Sequence, residues 1–140
     1  MSDLKAFFAQ NVESDLVTEV VVSKRFKDAE GNPIKWKIKA IGEEENAQYR
    51  KESTKRVQVR KGVFTQETDN EAYIGKLVEA CVVFPNLKDA DLQKSYNVMG
   101  ADQLIKRMLL PGEYGTLVQE IQKINGFDLD IEETIDEIKN

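Results

Sequence analysis

The stretch from Cys81 to Phe127, CVVFPNLKDADLQKSYNVMGADQLIKRMLLPGEYGTLVQEIQKINGF, constrains the fold more than any other part of the chain. It is a series of short apolar stripes separated by residues that end helices, so it predicts several short packed helices and no long one. Pro85 stops the helix before it, because its ring disfavours a helical predecessor. Asp89 or Asn86 can cap the next helix by accepting orphan backbone N–H groups, and that helix carries Leu92 and Tyr96 on one face. Gly100 breaks it. Ala101 to Leu110 then presents Leu104, Ile105, Met108 and Leu109 as a stripe suited to burial. Pro111 fits the first turn of a further helix, where its missing N–H costs nothing. Tyr114, Leu117, Val118, Ile121 and Ile124 form the apolar side of that helix. Gly126 stands where a left-handed C-cap is expected, with Phe127 following as a Schellman ending requires.

Upstream, Thr68 and Glu71 fit a capping box, and Ile74, Leu77, Val78, Cys81 and Phe84 predict one long apolar helix face ending at Pro85. Cys81 falls on that face, which predicts an inert core thiol. Further back the period changes. Leu16 to Phe26 reads as a strand with Val20, Val22 and Phe26 on one face, and with Glu19, Ser23, Arg25 and Val21 on the other. The turn KDAEGNP follows. In Ile34 to Ile41, Ile34, Trp36, Ile38 and Ala40 alternate with Lys35, Lys37 and Lys39. One face goes to a core and one to water, as in an antiparallel hairpin, and Trp36 is predicted to be buried. Gly42 and Glu43–Glu45 open a charged surface helix reaching about Lys55. Arg56 to Thr65 reads as a second small hairpin turning at Lys61–Gly62.

Both ends carry amphipathic segments. Ser2 can cap a short helix bearing Leu4, Phe7 and Phe8, and residues 128–140 place Ile131, Ile135 and Ile138 on one face of a final helix. Each is too short to persist without docking. These six residues are the candidate partner-binding positions. Docking in cis and docking on a partner both remain open.

At 140 residues the chain is long enough for one domain with a real core. The expected fold is α+β and mostly helical, with an N-terminal antiparallel β-hairpin and a C-terminal multi-helix half. Residues 1–140 form a single domain, in which 15–66 contain the hairpin and 67–140 are helical. One cysteine rules out an internal disulfide, and the absence of histidine removes the commonest neutral metal ligand and acid–base group. No apolar run reaches membrane-spanning length and no signal-peptide pattern opens the chain, so a cytoplasmic protein is expected, with no membrane partner.

The net charge of −5 is unevenly spread. Residues 24–61 carry 12 Lys/Arg against 6 Asp/Glu, whereas residues 62–140 carry 7 against 15. The basic segment reads either as a solvated face or as a surface for an acidic partner. A nucleic-acid role for 24–61 is disfavoured, because no aromatic residue shares the strand face of Lys35, Lys37 and Lys39 to stack on bases. No phosphate loop, dinucleotide fingerprint, nucleophile elbow or zinc spacing is present. Glu43–Glu45 and Glu132–Glu133 lack the alternating spacing of a calcium loop and read as helix N-terminal charge. No catalytic, cofactor-binding or metal residue is therefore predicted, and the chain is not expected to be an enzyme.

Three segments, SKRFKD with GNPIKWKI, FPNLKDADLQKSY and MLLPGEY, together with the closing EIKN, resemble the XkdN-like family of phage and prophage tail assembly chaperones. The similarity runs from about Glu19 to Asn140. The resemblance implies a non-catalytic protein of a contractile-tailed phage or defective prophage. Such a protein keeps tail proteins, notably the tape measure, soluble during assembly and is absent from the finished tail. A structural component of the tail is the alternative, and a nucleic-acid-binding module a more distant one.

Overall fold

The computed structural model describes residues 3–13 and 16–127. Two short 3₁₀ turns, Asp3–Phe7 and Ala9–Asn11, precede β1 (Val17–Val20) and β2 (Trp36–Lys39). Helix α1 (Glu43–Glu52) leads into β3 (Thr54–Arg60) and β4 (Val63–Thr68). The rest is α2 (Asn70–Cys81), β5 (Val82–Phe84), α3 (Ala90–Ser95), α4 (Ala101–Met108) and α5 (Pro111–Ile124). The architecture is α+β, as the alternation and stripe patterns require.

Strand β2 is the middle of a three-stranded sheet ordered β1–β2–β5 and antiparallel throughout. Its alternation is realised: Trp36 and Ile38 are 2% and 0% exposed, while Lys37 and Lys39 face water. Helix α2 lies at the centre of the helical layer, packed against α1, α4 and α5. The core gathers Trp36 and Ile38 with Leu77, Val78 and Cys81 of α2, Leu104, Ile105 and Met108 of α4, and Leu117 and Ile121 of α5. Phe26 closes over Trp36 at a ring-centroid distance of 6.3 Å.

Several sequence expectations need correction. The first strand ends at Val20, not Phe26, because its ladder with β2 runs only from Val17↔Lys39 to Val20↔Trp36. Beyond it the chain leaves the sheet, so the alternation that put Ser23 on the face opposite Val22 lapses and both are buried, at 4% and 5% exposed. Ile34, placed with Trp36, lies outside β2 and is 36% exposed. The second helix is capped by Asp69, whose side chain accepts from the Ala72 N–H at 3.1 Å. Thr68 instead ends β4, its hydroxyl 2.8 Å from that of Thr54.

The same helix stops at Cys81, and Val82–Phe84 becomes β5, paired Ile38↔Val82 and Lys37↔Phe84. A β-branched pair ahead of Pro85 favours extended backbone, and β2 offers an unpaired edge to receive it. Phe84 is consequently 47% exposed and not part of a buried helix face. Helix α4 likewise ends at Met108, two residues before the expected limit.

The second hairpin forms with Lys61–Gly62 at its turn, where Gly62 takes φ +76°. Asp89 caps α3 by accepting from the Leu92 N–H at 2.8 Å. Pro111 occupies the first turn of α5, and Gly126 has φ +81°. The Phe127 N–H bonds the Gln122 carbonyl and the Gly126 N–H bonds that of Lys123, which is the full Schellman pattern.

Trp36→Ala should lower the unfolding free energy by ~3–5 kcal/mol, the range for deleting a buried tryptophan; urea denaturation measures it. At Gly126 a Cβ would meet nothing within 4 Å, so backbone conformation alone sets the cost of substitution. Gly126→Val should therefore destabilise more than Gly126→Asn, since a β-branched residue tolerates positive φ worst. Equal urea midpoints for the two variants would contradict this.

Candidate functional site

The three candidates at the N-terminal end are brought to the surface together. Leu4, Phe7 and Phe8 are 70%, 80% and 42% exposed. The 3₁₀ turns that carry them bury no residue and are held by local bonds. Phe8 N–H reaches the Lys5 carbonyl at 3.1 Å, Asn11 N–H the Phe8 carbonyl at 2.8 Å, and Asn11 Nδ2 the Lys5 carbonyl at 2.8 Å. The short apolar pattern thus forms a turn without a cover, since one or two turns have too little ladder to make a helix. Ser2, Ile131, Ile135 and Ile138 lie outside the described residues.

Chemically reactive arrangements are scarce. Cys81 is fully buried, and desolvation pushes its thiol above the ordinary value, although Asn125 Nδ2 approaches Sγ at 3.5 Å. Among the described residues no group of three or more Cys, Asp or Glu side chains could hold a metal ion. The acidic start of α1 is committed to its own helix. Glu43 accepts from Asn46 Nδ2 at 2.8 Å, and Glu45 accepts from the Tyr49 hydroxyl at 2.5 Å, pushing that phenol up to about 12. No helix among the described residues is long and apolar enough to cross a membrane.

Two polar devices escaped the sequence reading. Arg25 grips Glu113 in a fork, with Nη2–Oε1 at 2.5 Å and Nε–Oε2 at 3.1 Å, and also donates to the Met108 carbonyl at 2.8 Å. Glu113 in turn accepts from the Leu110 N–H at 2.8 Å, as the third residue of a helix can. The partners are 88 positions apart, so spacing carried no hint of the pair. The bonds from Arg25, and then from Ser23 and the Leu110 amide, hold Glu113 down at about 2.

Asn125 is the second device. Its Oδ1 accepts from the Ile41 N–H at 2.8 Å and its Nδ2 donates to the Ile121 carbonyl at 2.8 Å. It therefore fastens the end of α5 to the β2–α1 connection. The sequence reading singled out Gly126 and Phe127 at this helix end and passed over Asn125, whose partner Ile41 is 84 positions away.

The described residues thus form an α+β fold with a packed core, and Leu4, Phe7 and Phe8 at the N-terminal end are among its exposed large apolar side chains. Residues 4–139 match the family described as Phage XkdN-like tail assembly chaperone protein, and the chain belongs to that family of phage tail assembly chaperones. It is 34% identical to YqbN of Bacillus subtilis (strain 168) over 140 residues, covering 99% of this chain and 93% of YqbN. It is 29% identical to the phage-like element PBSX protein XkdN of the same organism, covering 99% of this chain and 94% of XkdN. The crystal structure of YqbN superposes with a TM-score of 0.75 at 28% identity, covering 91% of this chain and 99% of that one.

Stability should depend on pH through Glu113. Its folded pKa lies below the ordinary 4.5, so its contribution is fully present above pH 4.5 and is lost as pH falls towards about 2. Urea midpoints at pH 6 and pH 3 should fall further for the wild type than for Glu113→Gln, which has no carboxylate to protonate. Equal falls would show that Glu113 contributes no pH-dependent stability.

Proposed function

We propose that this protein holds a tail protein, the tape measure in the first instance, soluble in the host cytoplasm during tail assembly, without catalysing a reaction. The observation that carries this reading is the exposed cluster Leu4, Phe7 and Phe8, at 70%, 80% and 42%, on a chain of the tail assembly chaperone family. Aromatic side chains give the largest contact energy per residue in an interface, and an exposed pair outside the core can meet a client without disturbing the packed interior. Ile131, Ile135 and Ile138 offer a second apolar stripe in the sequence, and we place it in the same role. Apolar contact of this kind is weakly sensitive to salt, unlike a charged interface.

The test is co-expression of the co-encoded tape measure protein with the wild type and with Phe7→Ser/Phe8→Ser. The double variant should remain folded by circular dichroism, because neither ring is part of the core, and should leave several-fold less client in the soluble fraction. A folded variant that solubilises as well as the wild type would remove the N-terminal cluster from the binding surface. A wild type that solubilises none of the co-encoded tail proteins would overturn the chaperone reading itself.

A further inference from the structure

The β3–β4 hairpin stands apart from the layers that hold the core. Its strands pack chiefly against each other, and Thr54, Val57 and Thr68 are the only residues on them that are even half-buried. At its base the Asp69 N–H bonds the Ser53 carbonyl at 2.8 Å, so the hairpin projects from the junction of α1 and α2. A two-stranded ribbon is marginal on its own in water and gains from a further strand.

Its composition is one-sided. Lys55, Arg56, Arg60 and Lys61 face a single carboxylate, Glu67, a surplus of three positive charges on a chain whose net charge is −5. Among the described residues none of these four cations makes an ion pair within 4 Å. Arg56 instead lies over the Phe64 ring, 4.0 Å from its centroid, which carries its charge across to β4.

The two edges also differ. The ladder shifts register between Gln58 and Arg60, leaving a bulge at Val59 that blunts β3. Strand β4 pairs without interruption from Val63 to Thr68 and carries no lysine or arginine of its own. Its one charge, Glu67, lies at the end away from the turn, so the Val63–Gln66 part of the edge lacks the usual charged protection.

We propose that the β3–β4 hairpin is an interaction arm whose β4 edge receives an acidic, extended polypeptide segment as a third strand. Backbone hydrogen bonds to β4 would supply the register, as in strand addition generally. Arg56 on one face, and Arg60 and Lys61 near the turn, would meet the segment's carboxylates, which sit towards the turn and away from Glu67. A protein strand fits better than nucleic acid. The hairpin's one aromatic ring, Phe64, has Arg56 over one of its faces, which leaves a single half-exposed ring and no run of aromatics to stack on successive bases. Removing the hairpin's +3 from −5 also leaves −8 on the rest of the chain, which repels a dense polyanion. This arm is separate from the N-terminal cluster and does not rest on the chaperone reading.

The experiment uses the full chain and fluorescently labelled eight-residue peptides. One alternates glutamate with valine and threonine, one has lysine for glutamate, and one carries a central proline. The glutamate peptide should bind, with affinity falling about tenfold or more as salt rises from ~50 to ~500 mM. The lysine peptide should not bind, and the proline peptide should bind at least tenfold more weakly because it cannot complete the ladder. Amide exchange at Val63–Thr68 should slow in the complex. Arg56→Gln should weaken binding. Arg60→Gln/Lys61→Gln, which leaves the Arg56–Phe64 contact intact, should do the same with unchanged Trp36 fluorescence. Several outcomes would overturn the proposal: no binding of the glutamate peptide, equal binding of the proline peptide, or preference for a 20-base-pair DNA duplex. Salt-sensitive self-association abolished by the Arg60/Lys61 variant would assign the arm to a second copy of the chain and overturn it equally.

Discussion

The fold depends on the burial of one strand face. Trp36 and Ile38 are covered by α2 and α5 on one side of a sheet whose lysines remain in water on the other. At about 25 cal/mol per Å² of apolar surface, large side chains at such positions supply the main favourable term in a fold of this size. The flanking strands are short, four residues and three, and have value chiefly because β2 lies between them. The helices are also short, so each takes its stability from this shared core and not from its own ladder.

That dependence explains which parts of the structure were legible in the sequence. The β2 alternation, the Asp89 cap, Pro111 at the start of α5 and the Gly126 ending are local signals, and each is realised. The errors arose where a distant partner decides the conformation. Val82–Phe84 continues a helical stripe when read alone, but the open edge of β2 draws it into the sheet. Ser23 belongs to an alternating pattern that stops because β2 ends, and it then turns inward beside Arg25. The Arg25–Glu113 fork joins residues that no periodicity relates. Of the candidate partner-binding residues, the exposed character of Leu4, Phe7 and Phe8 follows from a pattern too short to form a buried helix face. The second hairpin and its basic character were legible, but the difference between its two edges was not, because it lies in a register shift.

Two exposed elements of contrasting chemistry therefore project from a rigid centre. One is apolar and carried on short 3₁₀ turns; the other is basic and held by a cross-strand ladder. Neither contributes a large side chain to the core, so both can vary with little effect on stability. Surfaces built this way allow binding properties to change while the packed interior stays as it is.

The Asn125 side chain has a mechanical consequence. Force applied from the C-terminal side enters the described fold at Phe127, just beyond the Schellman bonds to Gln122 and Lys123. Asn125 couples that point to the Ile41 amide, two residues past the end of β2. A pull from that side therefore works against the Asn125–Ile41 bond as well as the helix-end bonds, so the last turn of α5 cannot unwind without also leaving the β2–α1 connection.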